Sequence, residues 1–503
     1  MSFKTYFRQF SGLGFPALWA GILLIVWLPG SALAVVCGQT IAADTTLTAD
    51  LVCPAGTALI IPLSTSVKLD LGGFTIDGQG TGSIGVKVNP TTISAAIING
   101  TIRGFNTGIE VGTANTQLQE TLGTSIIDVK VINCPQFGIK LGSALLTTIQ
   151  VTIKDTGTAI LAEDSNGSRV LDSLIRNSDI GVDVLDDDQD IDTSSGVFLV
   201  RSTVIENAKK GVQATEAAVE VDGSTITGCS TCNFGIISKL GDFSGANAPG
   251  GVLVTDTKIS KFRRAGIAVS GKFLPVTVSI ENTTVKMIGG AGAQTMGGIV
   301  FEGLALPEAI SNQVRDVRDG FGIGVLCSAL AALLNNDVGG ADFDGILVQE
   351  QNLGGTCDLT LNNYGSHIID GNLSHNNGGS GIFVFSDDVN FVKNNTTKGN
   401  FLDGIFLFDG SGHVLQGNRS GGNGQNGFQV FNVLNTTIEE NRARSNGDHG
   451  FNLAIGITNT LTKNRSDNNV DWGFFTTAPV TDGGGNSAKG NGGGQCDPAH
   501  MTC

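Results

Sequence analysis

The sequence has few prolines and only one long apolar run, and these two scarcities exclude several classes of protein. Only 11 of the 503 residues are proline and 40% are hydrophobic, so the 72 glycines do not indicate a disordered, low-complexity chain. Beyond the first thirty-odd residues, no stretch is apolar enough to cross a bilayer. The main part of the chain is therefore predicted to be a folded, glycine-rich region without a membrane span.

Positive charge is also scarce. The chain has 30 lysines and arginines against 46 aspartates and glutamates, a formal charge of −16. Removal of the first 34 residues, which contain Lys4 and Arg8 and no acid, would take the charge to −18. A surface of this sign repels nucleic acid and anionic membranes, so neither is expected as a partner.

Residues 1–34 have the features of a signal peptide. Lys4 and Arg8 form a basic start, an apolar stretch runs from Phe15 to Leu28, and Ala32-Leu33-Ala34 provides small residues at a cleavage site. The sequence therefore predicts secretion to the cell surface, the periplasm or the medium. A retained membrane anchor is the alternative.

All nine cysteines lie beyond Ala34, which fits disulfide formation in an oxidising compartment. Cys229-Ser-Thr-Cys232 has the spacing of a redox or zinc motif, but no second Cys-x-x-Cys follows, so a local disulfide is favoured. The odd number leaves at least one thiol unpaired, and Cys134 is the expected one. The predicted disulfides are Cys37–Cys53, Cys229–Cys232, Cys327–Cys357 and Cys496–Cys503.

A repeat of 23 residues decides the fold. Glycine followed by Ile or Phe recurs at this interval, asparagines recur nine residues before each glycine, and a third column is aliphatic. The glycine column is Gly381, Gly404, Gly427, Gly450 and Gly473. The asparagine column is Asn372, Asn395, Asn418, Asn441 and Asn464, and the aliphatic column is Val392, Leu415, Ile438 and Leu461.

Short β-branched and aromatic runs broken by Asn and Gly clusters predict strands and tight turns. Coils of such strands satisfy their backbone groups by stacking on the coils above and below, and identical asparagines then form ladders. The predicted organisation is an amino-terminal cap with the first coils over 35–110, a solenoid over 111–480, and a glycine-rich disulfide tail over 481–503.

The repeat resembles those of right-handed parallel β-helix proteins, the superfamily of pectate lyases, polygalacturonases and mannuronan C5-epimerases. The amino-terminal runs that begin at Cys37, Leu69 and Asn99 are similar to the opening coils of secreted members. The resemblance implies an all-β, single-stranded, pectin-lyase-like β-helix that acts on or binds an extracellular polysaccharide. The family's catalytic motifs do not carry over, because Arg-x-Lys and Asp-Pro-His are absent.

An aromatic strip is the first predicted site. Strand alternation that turns Ile382 and Val384 inward turns the intervening aromatic rings outward. Such rings are expected to stack on sugars, and cover by a loop or a second subunit is the alternative. The strip consists of Phe383, Phe385, Phe406 and Phe408, with Phe431 continuing it.

Polar residues before the strand glycines are predicted to line one edge of this face. Asp403 and His449 are the predicted proton carriers, with an ordinary corner hydrogen bond as the alternative for each. A basic column, Arg419, Arg442 and Arg465, is predicted either to grip uronate carboxylates or to form a solvated, salt-bridged face.

An acidic segment is the predicted metal site. Alternate aspartates at Asp186, Asp188, Asp190 and Asp192 offer hard oxygen ligands to Ca²⁺. Because the segment does not fit the EF-hand pattern, a solvated acidic turn is the alternative.

The first functional hypothesis is a secreted protein that binds a polysaccharide and modifies it as a lyase, hydrolase or epimerase. The second is a non-catalytic surface rod or adhesin that contacts proteins, with oligomers allowed by the apolar strip.

Overall fold

A computed structural model gives the fold of residues 35–503 as one unit. The residues it describes are 34–503 except for 63, 91, 113–120, 166, 186–196, 241–250, 272–276, 291–294, 304–305, 329, 350–365, 388, 457, 498–500 and 502–503. In these ranges every regular element is a β-strand. None of the described residues forms a helix with the length and hydropathy of a membrane span.

The amino-terminal half contains long, bent strands. The first thirteen are β1 Gln39–Thr40, β2 Thr45–Thr46, β3 Leu51–Val52, β4 Thr57–Ile61, β5 Ser66–Asp70, β6 Thr75–Val88, β7 Ser94–Gly112, β8 Thr121–Leu122, β9 Ser125–Gly142, β10 Ala144–Leu145, β11 Thr148–Glu163, β12 Arg169–Leu171 and β13 Leu174–Leu185.

The strands then become short and regular. The next eighteen are β14 Phe198–Arg201, β15 Val204–Glu206, β16 Lys210–Thr215, β17 Val219–Asp222, β18 Thr225–Thr227, β19 Phe234–Leu240, β20 Val252–Thr255, β21 Lys258–Ser260, β22 Ala265–Gly271, β23 Thr277–Glu281, β24 Thr284–Ile288, β25 Gly297–Glu302, β26 Leu306–Ile310, β27 Gln313–Val317, β28 Phe321–Leu326, β29 Ala332–Leu334, β30 Asp337–Ala341 and β31 Ile346–Gln349.

The carboxyl-terminal coils are the most uniform. Their strands are β32 Ile368–Asp370, β33 Leu373–His375, β34 Ile382–Phe385, β35 Phe391–Lys393, β36 Thr396–Lys398, β37 Ile405–Phe408, β38 Val414–Gln416, β39 Arg419–Gly421, β40 Phe428–Phe431, β41 Thr437–Glu439, β42 Arg442–Arg444, β43 Phe451–Ala454, β44 Thr460–Thr462, β45 Arg465–Asp467, β46 Trp472–Thr476, β47 Thr481–Asp482, β48 Ser487–Lys489 and β49 Gly494–Cys496.

The predicted parallel solenoid is confirmed, because every printed strand pairing is parallel and joins equivalent positions of successive coils. In the carboxyl-terminal coils Ile382 pairs with Ile405, Ile405 with Phe428, and Phe428 with Phe451. The looser starts predicted upstream fall in the same column, from Ile139 through Val182 and Ile236 to Ile346. These side chains are fully buried and form one continuous core.

The asparagine column forms the predicted ladder. The side-chain amide of Asn418 donates to Asn441 Oδ1 at 2.9 Å and to the backbone oxygen of Val392 at 2.8 Å, and its own Oδ1 accepts from the backbone N–H of Asn395 at 2.9 Å. Each buried amide thereby satisfies backbone groups at a corner that the strand ladder leaves unpaired.

Each regular coil has three strands, illustrated by β35, β36 and β37. Asn394, with φ of 54°, and the ladder residue Asn395 make the short corner between the first and second strands. A six-residue corner, 399–404, separates the second strand from the third. The outward sides are called here the first-strand, second-strand and third-strand faces, and the corner decides which side chains share a face.

The cysteine predictions are largely confirmed. Cys37 bonds to Cys53, Cys229 bonds to Cys232, and Cys134 is a buried free thiol. Cys327 and Cys496 are disulfide-bonded as well, whereas their predicted partners, Cys357 and Cys503, lie outside the described residues.

The parallel coils continue beyond residue 480 into the segment predicted as a tail. Strands β47, β48 and β49 pair with β44, β45 and β46. Asn464 donates to Asn486 Oδ1 and Asn469 donates to Asn491 Oδ1, so both asparagine ladders extend into this coil. Glycine content alone hid this last coil from the sequence prediction.

Candidate functional site

The third-strand face carries two outward rows of side chains along the stack of coils. The central row, which is half-buried, contains Leu347, Phe383, Phe406, Gln429, Asn452 and Phe475. The second row contains Phe385, Phe408 and Phe431. Strand spacing places successive members of a row about 4.8 Å apart.

The aromatic rings pack on one another across the coils. Phe383 stacks on Phe406 with centroids 4.9 Å apart and planes at 13°, and Phe408 stacks on Phe431 at 5.5 Å and 4°. Phe385 meets Phe408 edge to face and is only 6% exposed. The predicted strip is therefore a joined apolar surface in which neighbouring rings cover part of each other, and Phe385 contributes little exposed area.

Beside the central row lies an edge row formed by the residues before the strand glycines: Asp344, Ser380, Asp403, Asn426, His449 and Trp472. Backbone N–H groups donate along this row from one coil to the side chain of another. Ser380 donates to Asp344 Oδ1 at 2.6 Å, and Asn426 donates to Asp403 Oδ1 at 2.9 Å. The corner hydrogen bonds weighed as the alternative for these residues are thus present.

Two carboxyls of the edge row have altered acidity. Burial raises the pKa of Asp344 to about 6, and the nearby Asp403 carboxylate adds to the rise. Burial also raises the pKa of Asp403, with a further contribution from Asp448, although hydrogen bonds from Asn426 oppose it. Groups with raised pKa values in a surface row are common at functional sites.

His449 lies farther along the same row and its ring is tightly placed. Nδ1 accepts a hydrogen bond from the backbone N–H of Trp472 at 3.2 Å, and the ring stacks on Phe475 with centroids 4.7 Å apart. A neutral imidazole whose Nδ1 accepts carries its proton on Nε2. His449 Nε2 faces Asp448 Oδ1 at 3.6 Å.

Asp448, His449 and Asp471 bring ligand atoms within 4.8 Å of one another, a spacing compatible with a metal ion. Metal coordination requires an imidazole lone pair. Because the Trp472 N–H occupies Nδ1 and Nε2 bears the proton, the ring offers no lone pair while this hydrogen bond is intact. The cluster is therefore better described as a polar anchor for the corner than as a metal centre.

Asn452 is the polar residue of the central row with an unsatisfied group. Its buried Oδ1 has no hydrogen-bond partner, whereas the neighbouring Gln429 accepts from Asn426 Nδ2 at 2.9 Å. An unsatisfied buried acceptor is costly unless a ligand or water fills it. The sequence reasoning followed aromatic residues only and missed Gln429, Asn452 and Phe475, although all three lie at multiples of 23 residues from Phe406.

The predicted basic column lies elsewhere. Arg419, Arg442 and Arg465 are in register on β39, β42 and β45, and therefore on the second-strand face. Arg442 and Arg465 both contact Asp467, at 3.5 and 2.6 Å. The structure therefore does not bring Arg419 and Arg442 onto the face that carries the phenylalanines, because the corner intervenes.

The predicted calcium ligands, Asp186, Asp188, Asp190 and Asp192, lie outside the described residues.

Comparison with known families agrees with this geometry. Residues 321–491 match the model of the right handed beta helix region. The chain is a right-handed parallel β-helix protein. No curated protein matches it in sequence.

Several solved β-helix structures are similar to this β-helix. A double mutant of the periplasmic alginate epimerase AlgG has 16% identity, with 65% of this chain and 77% of that chain covered and a TM-score of 0.38. Pectate lyase Pel9A has 12% identity, coverage of 65% and 71%, and a TM-score of 0.26. The tailspike of E. coli bacteriophage HK620, in complex with a pentasaccharide, has 11% identity, coverage of 86% and 74%, and a TM-score of 0.32.

Proposed function

We propose that this β-helix binds a polysaccharide lengthwise on its third-strand face, outside the cytosol. The observation that carries the proposal is the unsatisfied Oδ1 of Asn452 in a row that also contains Gln429 and three phenylalanines. Sugar hydroxyls donate hydrogen bonds, and the C–H faces of sugar rings pack on apolar surface. A repeating row of amides and aromatic rings matches both properties.

The order of the row suggests how a chain of sugars would lie. Gln429 and Asn452 are adjacent, with Phe406 one coil before them and Phe475 one coil after them. A ligand hydroxyl on Asn452 Oδ1 would place neighbouring sugar units against these two rings. Such sites, in which a few placed polar groups lie among apolar ones, fix the orientation of a ligand.

Two disulfides and the signal-like segment at 1–34 support a location outside the cytosol. The proposal includes secretion through cleavage after Ala34. Mass spectrometry of the mature amino terminus tests this part, and an intact Met1 in the exported protein would contradict it.

The experiment for binding is a glycan array followed by titration of the best ligand. Asn452→Leu removes the amide at similar volume, and Phe383→Ala with Phe406→Ala removes the stacked pair. Both variants are expected to weaken binding at least tenfold. Gln416→Leu and Phe391→Ala, which change half-buried side chains of the first-strand face, are the matched controls and should bind normally.

Unchanged glycan binding in the Asn452 and double phenylalanine variants would overturn the proposal. An array without hits, together with dimers that disappear in the double phenylalanine variant, would instead favour the surface rod that contacts proteins. A repeat of the array with a chelator tests the predicted calcium role of Asp186 to Asp192.

We retain Asp403 and His449 as the proposed proton carriers if the bound glycan is modified. Both lie in the edge row beside the central row, and the pKa of Asp403 is raised by burial. Incubation of the ligand with wild-type protein and with Asp403→Asn, followed by assays for reducing ends and unsaturated ends, separates hydrolysis from elimination. Equal product from both proteins would exclude Asp403.

A further inference from the structure

A groove runs across the corner between the second-strand and third-strand faces, outside the site described above. Its volume is about 530 Å³. Lining residues include Asn376, Gly378, Gly399, Phe401, Gly422 and Gly424. Because most of these residues are glycine, the floor is formed largely by backbone, and Phe401 is its large apolar side chain.

Phe401 stands among glycines. The equivalent positions in the coils before and after it are Gly378 and Gly424, as the backbone hydrogen bonds of the corner show. A Cβ on Gly424 would lie 2.1 Å from the backbone oxygen of Phe401, so the close approach of the coils requires glycine there. The ring is consequently 72% exposed, in contrast to the mutually covered rings of the third-strand face.

A notch bordered by cations adjoins this groove. Lys398, Gly421 and Arg444 occupy one outward position in three successive coils. The one atom within 4 Å of a Cβ built on Gly421 would be the Arg444 backbone oxygen, at 3.1 Å, so the space between the two cations is open. Arg419, two residues before Gly421, projects from the same side of its strand.

These cations are notable in a chain with a net charge of −16. Lys398, Arg419 and Arg444 are exposed, and within the described part of the chain none has an acidic side chain within ion-pair distance. The acids nearest in register are otherwise engaged: Asp467 contacts Arg442 and Arg465. A row of exposed, unneutralised cations favours binding of an anionic group.

The groove and the notch are continuous along the chain. Lys398 directly precedes Gly399, and Gly421 directly precedes Gly422. Asp342 is the one acid among the groove's lining residues. It lies two coils before Phe401, about 10 Å away by strand spacing, and its carboxylate accepts from the backbone N–H of Asp319 at 2.9 Å.

We infer that this groove binds a sugar unit with a negatively charged substituent, with the sugar ring on Phe401 and a carboxylate or sulfate over Gly421 between Lys398 and Arg444. The inference deepens the proposed function and rests on it in taking the ligand to be a polysaccharide. It adds a second contact surface and a charge requirement that the third-strand face does not supply.

The experiment uses polymers that differ only in charge. Binding of the full mature protein to dextran and dextran sulfate, and to polygalacturonate and its methyl ester, is measured by titration at two salt concentrations. The charged member of at least one pair is expected to bind at least tenfold more tightly, with an advantage that falls at high salt. Which pair responds distinguishes a sulfate from a carboxylate ligand.

Three variants locate the contact. Lys398→Gln with Arg444→Gln should remove the preference for the charged polymer, and Phe401→Ala should weaken binding at least fivefold. Lys258→Gln with Lys286→Gln changes two exposed lysines of β21 and β24 on the same face and should have no effect. Because all five side chains are exposed, these variants are expected to fold.

Each outcome separates the two proposals. Glycan binding that requires Asn452 and is indifferent to polymer charge and to Lys398 and Arg444 would overturn this inference and leave the proposed function standing. Charge-dependent binding that is lost in the Lys398/Arg444 variant and unchanged in Asn452→Leu would support the groove and contradict the third-strand site. Failure of every polymer to bind overturns both.

Discussion

The backbone N–H of Trp472 donates to Nδ1 of His449, 3.2 Å away in the preceding coil. The same relationship joins His449 to Asn426, whose Oδ1 accepts from the His449 backbone N–H at 3.2 Å. An imidazole thus takes the place of an amide or carboxylate in one row of corner acceptors. The edge row of the proposed site is therefore also part of the scaffold that aligns its coils.

Replacement of His449 should separate these two roles. Asparagine retains an acceptor for the Trp472 N–H, whereas alanine leaves that buried donor unpaired, which costs about 1–3 kcal/mol. We expect His449→Ala to melt at a lower temperature than His449→Asn, measured by circular dichroism. Equal melting temperatures for the two variants would show that the hydrogen bond contributes no stability.

The same bond predicts the response to metal ions. Because the neutral ring carries its proton on Nε2, Zn²⁺ must displace the Trp472 N–H or that proton before it can bind. Zinc is therefore expected to leave the melting temperature of the wild-type protein unchanged at neutral pH. A concentration-dependent rise that disappears in Asp448→Asn with Asp471→Asn would contradict this description of the cluster.

Asp344 should make stability depend on pH. Burial raises its pKa to about 6 in the folded chain, against about 3.9 when unfolded. Between these values the folded state binds more protons than the unfolded state, so this group's contribution to stability is present below about pH 4 and is lost as the pH rises through 6.

Asp344→Asn removes that dependence and keeps an oxygen that can accept from the Ser380 N–H. The variant should be more stable than the wild-type protein at pH 7 by about 1–3 kcal/mol and similar to it at pH 4. Asp342→Asn, one turn position away, is the control. A variant less stable than the wild-type protein at pH 7 would mean that the charged form of Asp344 is favoured in the fold.

The 23-residue columns allowed the coils, the asparagine ladder and the strand register of the carboxyl-terminal third to be predicted, because stacking converts sequence period into contact. The placement of Arg419 and Phe406 on different faces could not be predicted in this way. It depends on the six-residue corner after Lys398, whose direction follows from the left-handed backbone of Gly399, with φ of 63°, and from packing around Asn400.

Ring orientation was likewise beyond sequence reasoning. Alternation predicted that Phe383 and Phe406 point outward, but the stacking of one on the other depends on rotamers chosen against neighbouring coils. The open ring of Phe401 was missed for a related reason: it lies in a turn, and its exposure results from the glycines at the same position in the adjacent coils. A glycine–phenylalanine–glycine sequence read down a column, rather than along the chain, is the signal that identifies it.

The asparagine ladder should be the most sensitive element of the fold. Asn418→Ala leaves the Val392 oxygen and the Asn395 N–H unpaired in the core, and the loss of two buried partners costs about 3 kcal/mol or more. The melting temperature should fall markedly, and hydrogen exchange of the amides in β36, β39 and β42 should accelerate before exchange near the amino terminus. Asn435→Ala, at an exposed position with one side-chain bond to Ser411, is the matched control and should change stability by less than about 0.5 kcal/mol. A loss in Asn418→Ala no greater than in this control would show that the backbone ladder alone holds the coils, since the amide bonds would then be replaceable by water.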